Sequence, residues 1–247
     1  MRAGERNPKK SLAMLMAVLL LIFFAAVMLV HIAFSNGMNF YGSQTQERYK
    51  IAMIVKSTTS SFFQSVFAGA DVAAAEYNIE LTTEGAQAEE DYEAQNQLIH
   101  KAVENGADAI VLSAVDFNEN ADAVERAAGT GIPIIIIDSD VNSDSVECRI
   151  GTDNYKAGRM AAEAVLSQTE GSLNIGIVNF DKDTANGQER EDGFRTAVNK
   201  SGRAEKLITI NVLSTIDDAR EGTRQLIREN PDLNVIVTFN EWTSLGV

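Results

Sequence analysis

Seven short apolar segments, the first six each followed by a helix-like stretch, constrain the fold of this chain more than any other feature of its sequence. The segments are continuous rather than alternating in hydrophobicity, which is typical of strands buried on both faces of a parallel sheet. Regular alternation of such strands with helices predicts an α/β fold with right-handed crossovers. The predicted strands cover residues 50–55, 79–83, 109–113, 133–138, 174–179, 207–212 and 234–239.

The order of these segments divides the folded part of the chain into two groups. Four strand–helix units run from residue 49 to residue 141, and a second set of three strands begins after residue 168. We therefore predict two doubly wound parallel-sheet lobes, the first at 49–141 and the second, with the hinge crossing, at 142–247. The turn-rich segment 139–151 is the candidate crossing. Predicted helices cover residues 62–77, 91–105, 119–129, 154–168, 187–201 and 217–229.

A basic N-terminal tail at residues 1–10 precedes an apolar stretch at 12–34 that is interrupted only by His31. A helix rises about 1.5 Å per residue and needs roughly 20 apolar residues to cross a bilayer core. Positive charge on the N-terminal side keeps that side in the cytoplasm. We therefore predict a cytoplasmic tail, one transmembrane helix at 11–34, a polar linker at 35–48 and an extracytoplasmic domain.

The alternative for the apolar stretch is a cleaved secretory signal. The apolar region of a signal peptide is about 7–15 residues long and ends at a site of the Ala-x-Ala kind. The stretch here is longer and no clean Ala-x-Ala follows it, so a retained signal-anchor is the prediction. The only cysteine, Cys148, lies far from the apolar stretch, which excludes both a lipid-accepting cysteine beside it and an internal disulfide.

The charge of the exported part excludes one class of partner. The whole chain carries a net charge of −14. Four of its 21 basic and one of its 35 acidic residues lie in 1–34, so the remainder has 17 basic and 34 acidic side chains and a net charge of −17. Such a surface repels phosphate backbones, and no nucleic-acid partner is predicted.

Catalysis and cofactors have little support in the residues. The two histidines, His31 and His100, form no recognisable nucleophile or metal pattern. Segment 181–187 is faintly similar to a calcium loop, but its glycine is at the seventh position rather than the required sixth. We predict a protein that is not an enzyme and has no cofactor or metal.

Motifs in register from residue 51 to residue 241 resemble those of the type I periplasmic binding proteins, the sugar-binding family that also includes the effector-binding cores of lactose-repressor-like regulators. The resemblance covers residues 49–247. Its motifs are Ile51-Ala-Met-Ile-Val-Lys-Ser57, Ser60-Ser-Phe-Phe63, Gly106-Ala-Asp-Ala-Ile-Val-Leu-Ser113, Gly131-Ile-Pro-Ile-Ile-Ile-Ile-Asp138, Ile150-Gly-Thr-Asp-Asn-Tyr-Lys-Ala-Gly158, Arg190-Glu-Asp-Gly-Phe194 and Val237-Thr-Phe-Asn-Glu241.

The resemblance implies an extracytoplasmic protein that captures a small polar ligand, a monosaccharide, by closure of two lobes about a hinge. The closed form would be recognised by an ABC-type permease or, alternatively, by a membrane sensor kinase. Family members continue well past the equivalent of Asn240, so the resemblance implies a truncated chain with an incomplete second lobe. A flavodoxin-like enzyme is a weaker alternative because residues 56–61 contain no phosphate-binding glycine. A DNA-binding regulator is also weak, because the apolar stretch occupies the place of its helix-turn-helix.

Candidate ligand-binding residues follow the predicted strands, where ligands of open α/β sheets bind. Ser60 supplies a hydroxyl, and Phe62 and Phe63 offer aromatic faces for a sugar ring, although from the residues alone both rings could belong to the core. The resemblance assigns at least one ring to the ligand.

Four further candidates come from the ends of later segments. Asp138 can accept sugar hydroxyls or form a turn, and Arg190 can span two ring oxygens or pair with its acidic neighbours. Asn240 can bind a ligand or cap the next helix. The resemblance favours ligand contact for Asp138 and Arg190, and it places Ser139 where the family commonly has arginine. Asn240 and Ser139 are also predicted to bind the ligand.

Overall fold

A computed structural model of the chain describes residues 8–35 and 48–247, with side chains for 14–32 and 48–247. Residues 1–7 of the predicted cytoplasmic tail and 36–47 of the predicted linker lie outside the described residues. Helix α1 (Pro8–Ser35) contains an exposed stretch, Met14–Ile32, that is long and apolar enough to cross a membrane. A signal sequence near an N-terminus meets the same criterion. The boundary between the two compact units of the chain falls after Glu47.

The first lobe is built on a five-stranded parallel sheet with the order β2-β1-β3-β4-β5. Apolar residues of α3 and α4 pack against one face of the sheet, and α2 packs against the other through Phe63, which contacts Met53 and Val55 of β1. The lobe is therefore doubly wound, as predicted. Its elements are β1 (Lys50–Val55), α2 (Ser61–Glu76), β2 (Glu80–Gly85), α3 (Tyr92–Glu104), β3 (Ala109–Leu112), α4 (Ala121–Gly129), β4 (Ile134–Ile137) and β5 (Cys148–Ile150).

The second lobe is built on a three-stranded parallel sheet with the order β7-β6-β8. Phe194 of α6 is fully buried against Ile175 and Ile177 of β6, and Leu226 of α7 packs near Gly176 of the same strand. The α/β fold class with two parallel sheets is thus confirmed. The elements are α5 (Asn154–Gln168), β6 (Leu173–Asn179), α6 (Ala185–Ser201), β7 (Ala204–Asn211), α7 (Ile216–Glu229), β8 (Val235–Thr238) and α8 (Glu241–Gly246).

The chain passes between the lobes later than the sequence predicts. The predicted end of the first lobe at residue 141 precedes β5, and the predicted crossing at 139–151 contains it, yet β5 returns to the first sheet and pairs with β4. The passage is made by residues 151–153, directly before α5. The sequence does not signal β5 because its three residues are exposed and include Arg149, so they form no apolar segment.

Candidate functional site

The carboxyl ends of strands from both sheets open onto one cleft between the lobes. Lys56 directly follows β1, Asp138 follows β4, Phe180 follows β6, and Asn240 comes just after β8. Parallel strands place their carboxyl ends at the same edge of a sheet, and ligands of such sheets bind there. The cleft wall includes six of the seven residues predicted to bind ligand: Ser60, Phe62, Phe63, Asp138, Arg190 and Asn240.

The size of the cleft limits what it can hold. Its volume is about 150 Å³. By the same measure one water molecule needs about 10–15 Å³, so the cleft has room for about ten or more non-hydrogen atoms. This is the size of a single small sugar rather than an oligomer.

The two adjacent phenylalanines have different environments. The Phe62 side chain is 48% exposed, whereas Phe63 is 3% exposed and contributes to the core beneath α2. Their rings meet edge to face with centroids 5.0 Å apart. Core packing therefore accounts for Phe63, and Phe62 presents the accessible aromatic face.

Asp138 is held in an unusual backbone conformation at the cleft. Its φ of 59° is left-handed, a region that aspartate visits more readily than most residues. Its backbone N–H donates to the carbonyl of Ile150 in β5 at 3.0 Å, and its Oδ2 accepts from Ser113 Oγ at 3.2 Å. Strained residues of this kind cluster at ligand sites. The edge strand β5 thus fixes the position of this carboxylate.

Ser139 is the predicted site residue that the structure does not bring to the cleft. It is fully buried, and its Oγ has no hydrogen-bond partner among the described residues. The left-handed turn at Asp138 directs the next residue into the interior, where the Ser139 carbonyl accepts from the backbone N–H of Ala114 at 3.1 Å. This turn separates two side chains that the sequence places together.

Arg190 lies in the second turn of α6 and is anchored within the second lobe. Its Nε donates to Asn154 Oδ1 at 2.9 Å, and its Nη1 donates to the carbonyl of Phe239 at 2.6 Å. The nearby Glu191 pairs with Arg195 at 2.6 Å, so a surface ion pair does not account for Arg190. The Nη2 group forms no hydrogen bond within the described residues. The structure therefore holds this guanidinium with one edge available to a ligand.

Asn240 caps a helix and also lines the cleft. Its Oδ1 accepts from the backbone N–H of Thr243 at 2.9 Å and caps α8. The amide Nδ2 forms no hydrogen bond with a described residue and remains a donor at the cleft. The hydroxyl of Ser60, at the start of α2, also makes no side-chain capping bond.

Sequence reasoning missed six residues of the cleft. The signal for Lys56 was present, since it is the first polar residue after an apolar strand, as Asp138 is. Asn186 lies in the segment 181–187 that is faintly similar to a calcium loop. The described residues include no cluster of side chains that could hold a metal ion. Phe180 directly follows the predicted strand 174–179, and Glu241 ends one of the quoted motifs, whereas nothing in the local sequence marks Glu89 or Trp242. The six residues are Lys56, Glu89, Phe180, Asn186, Glu241 and Trp242.

Lys56 is the most deeply placed charge in the cleft. It is 3% exposed, and its Nζ donates to Asn186 Oδ1 at 3.2 Å. Burial lowers the pKa of this amine, while the carboxylates of Asp138, Glu89 and Asp181 act in the opposite direction. The net effect is a lowered pKa for Lys56, which the acidic groups around the amine partly offset.

The cleft offers charges of both signs beside an aromatic face. Two cations, Lys56 and Arg190, are set against three carboxylates of Glu89, Asp138 and Glu241. Carboxylates accept and ammonium, guanidinium and amide groups donate, so the cleft can bond both functions of a hydroxyl group. The excess of carboxylates disfavours an anion. A neutral, polyhydroxylated ring fits this arrangement.

The family model described as periplasmic binding protein domain matches residues 51–247. Among curated proteins, the D-ribose/D-allose-binding protein of Pseudomonas aeruginosa is 25% identical over 213 residues, which cover 83% of this chain and 66% of that protein. The ribose import binding protein RbsB of Bacillus subtilis is 23% identical, with the same two coverages. The chain thus spans slightly less than two thirds of the length of these relatives.

Solved structures show the same fold. A carbohydrate transporter solute binding protein from Agrobacterium radiobacter, in complex with D-arabinose, has a TM-score of 0.78 and 28% identity over 82% of this chain and 70% of its own. A sugar transporter from Clostridium phytofermentans has a TM-score of 0.75 and 31% identity over 81% and 74%. These relatives are sugar-binding transport proteins and not enzymes, in agreement with the expectation from the sequence. The chain therefore belongs to the type I periplasmic binding protein family.

Proposed function

We propose that this chain is a membrane-anchored, extracytoplasmic binding protein that captures a neutral monosaccharide between its two lobes and presents it to an ABC-type importer. The observation that carries the proposal is the cleft in which Phe62 supplies a ring face while Asp138 and Arg190 approach from opposite lobes. A ligand that bonds both lobes stabilises the closed form over the open one. The relatives that bind or import ribose, allose and apiose support this ligand class.

The ligand is expected to be found in a panel of neutral pentoses and hexoses tested on the full chain in detergent. Isothermal titration calorimetry should show saturable binding of at least one neutral sugar. The matched uronic acids should bind more weakly, because the three carboxylates of the cleft disfavour a negative charge. Preferential binding of the acids would contradict the proposed ligand class.

The membrane anchor is part of the proposal and is tested separately. Protease added to intact spheroplasts should digest residues 48–247, because the basic tail retains the N-terminus in the cytoplasm. The membrane fraction should contain a chain of the full 26.8 kDa before digestion. Protection of 48–247 would overturn the topology, and a soluble chain shortened at its N-terminus would identify α1 as a cleaved signal.

The second candidate function is a ligand-sensing subunit of a membrane sensor kinase, which a fixed tether suits as well as transport. Gene deletion separates the two functions. Loss of uptake of the labelled sugar supports import. Unchanged uptake with loss of the transcriptional response to that sugar supports sensing.

A further inference from the structure

We propose that Glu89 and Glu90, in the loop between β2 and α3, form a clasp that holds the second lobe in the closed orientation. The clasp makes these two residues positioning residues for ligand binding. The inference rests on the proposed function only in that the closed orientation is the one that binds ligand. The clasp itself consists of contacts within the protein.

The two glutamates bond different segments of the second lobe. Trp242 Nε1, in α8, donates to Glu89 Oε1 at 3.3 Å. The backbone N–H of Ser214, between β7 and α7, donates to Glu90 Oε1 at 2.7 Å. Two consecutive residues of one loop therefore bridge the lobes at two separate points.

The loop that carries the clasp is fixed to the first lobe at both ends. Ala86 is 3% exposed at its start, and Asp91 at its end accepts from the backbone N–H of Ala94 at 2.9 Å and caps α3. Backbone bonds from Asp91 to Ala88 at 3.2 Å and from Tyr92 to Glu90 at 3.1 Å close the turn between them. The carboxylates are thus presented from a rigid support.

Non-covalent contacts set the orientation of the lobes in the described part of the chain. Between residues 48 and 247 the backbone crosses between the sheets once, at 151–153, and one connection permits rotation about it. Ser61 Oγ donates to Glu241 Oε1 at 2.6 Å, and the Phe117 N–H donates to the Asp183 carbonyl at 2.9 Å across the same interface. The Ser61–Glu241 bond and the two bonds of the clasp have carboxylate acceptors, so these three are stronger than bonds between neutral groups.

The clasp is coupled to the cleft because Glu89 and Trp242 both line it. Burial raises the pKa of Glu89, while Lys56 across the cleft acts in the opposite direction and favours its charged form. Because the ligand binds the closed orientation, its apparent affinity decreases when the fraction of closed molecules decreases. Loss of one clasp bond should therefore weaken both closure and ligand affinity.

Trp242 is the only tryptophan of the chain, so its fluorescence reports on this interface alone. The test measures acrylamide quenching of ligand-free full-length chain in detergent. Glu90→Ala is the decisive variant, because Glu90 bonds Ser214 and not the indole. In Glu89→Ala and Glu90→Ala we expect the ratio of closed to open molecules to fall about tenfold. The quenching constant should rise, and where a sugar binds, its dissociation constant should rise correspondingly.

Glu93→Ala is the matched control, since Glu93 is an exposed glutamate on α3 near the clasp. This variant should leave quenching unchanged. Glu90→Gln keeps an acceptor oxygen, so its quenching constant should stay close to that of the parent. Equal melting temperatures would show that the variants fold. Parent-like quenching in a folded Glu90→Ala protein would overturn the clasp, even if Glu89→Ala changed the indole locally. Because no ligand is used, this outcome is independent of whether the sugar panel succeeds.

Discussion

Alanine at Gly158 or Gly193 is expected to destabilise the second lobe strongly. These glycines lie where α5 and α6 cross, and each allows the backbone of one helix to contact the backbone of the other. A Cβ on Gly158 would overlap the carbonyl oxygen of Arg190 and lie 2.9 Å from the Phe194 nitrogen. A Cβ on Gly193 would overlap the carbonyl oxygen of Tyr155 in the same way. Backbone atoms cannot rotate away as a side chain can.

The expected cost is large for a single methyl group. Overpacking of a core costs about 1–3 kcal/mol and occasionally more, and contacts with rigid backbone belong at the upper end. Domains have only about 5–15 kcal/mol of stability, so a cost of this size removes a large part of the stability of the second lobe. Hydrogen exchange would show lowered protection in α5, α6 and β6, and ligand binding should weaken because α6 carries Arg190.

Gly69→Ala is the control for this prediction. Gly69 lies inside α2, and a Cβ there would meet no atom within 4 Å. Alanine in a helix is favoured over glycine by roughly 0.5–1 kcal/mol, so this variant should melt at the parent temperature or slightly above it. Parent-like protection of α5 and α6 in Gly158→Ala would show that the helices can separate without loss of structure.

Replacement of Asp138 by alanine is expected to remove most ligand affinity. The carboxylate is half-buried at the cleft, and a sugar hydroxyl that loses a charged acceptor stays buried without a partner. The expected loss is about 2–4 kcal/mol of binding free energy, or roughly 30- to 1,000-fold in the dissociation constant. Calorimetry with the best sugar of the panel measures it directly.

The backbone at Asp138 requires a second variant beside alanine. Alanine is less tolerant of the left-handed conformation by about 1–2 kcal/mol, whereas asparagine accepts it and keeps one oxygen. Asp138→Asn should therefore melt like the parent and still lose affinity. Asp144→Ala, at an exposed position in the loop that follows, should change neither property. Parent-like affinity in Asp138→Asn and Asp138→Ala would remove this carboxylate from the site.

The sequence by itself determined seven of the eight strands in the described part of the chain. A strand covered on both faces by helices is mostly apolar, and the run at β4 (Ile134–Ile137) is recognisable without its neighbours. Position on a strand also located Asp138 and Asn240, because a polar residue directly after a buried strand lies at the carboxyl edge of the sheet. These inferences need only the local pattern of hydrophobicity.

Only the tertiary structure decided which residues meet in the cleft. β5 forms by pairing with β4 rather than through its own exposed residues, and it determines the conformation of Asp138 and hence the burial of Ser139. Glu89 and Trp242 are 153 positions apart and meet through the orientation of the two lobes. A local pattern reports whether a residue is buried and on which face. The distance between two residues depends on how the elements between them pack, which no short stretch of sequence contains.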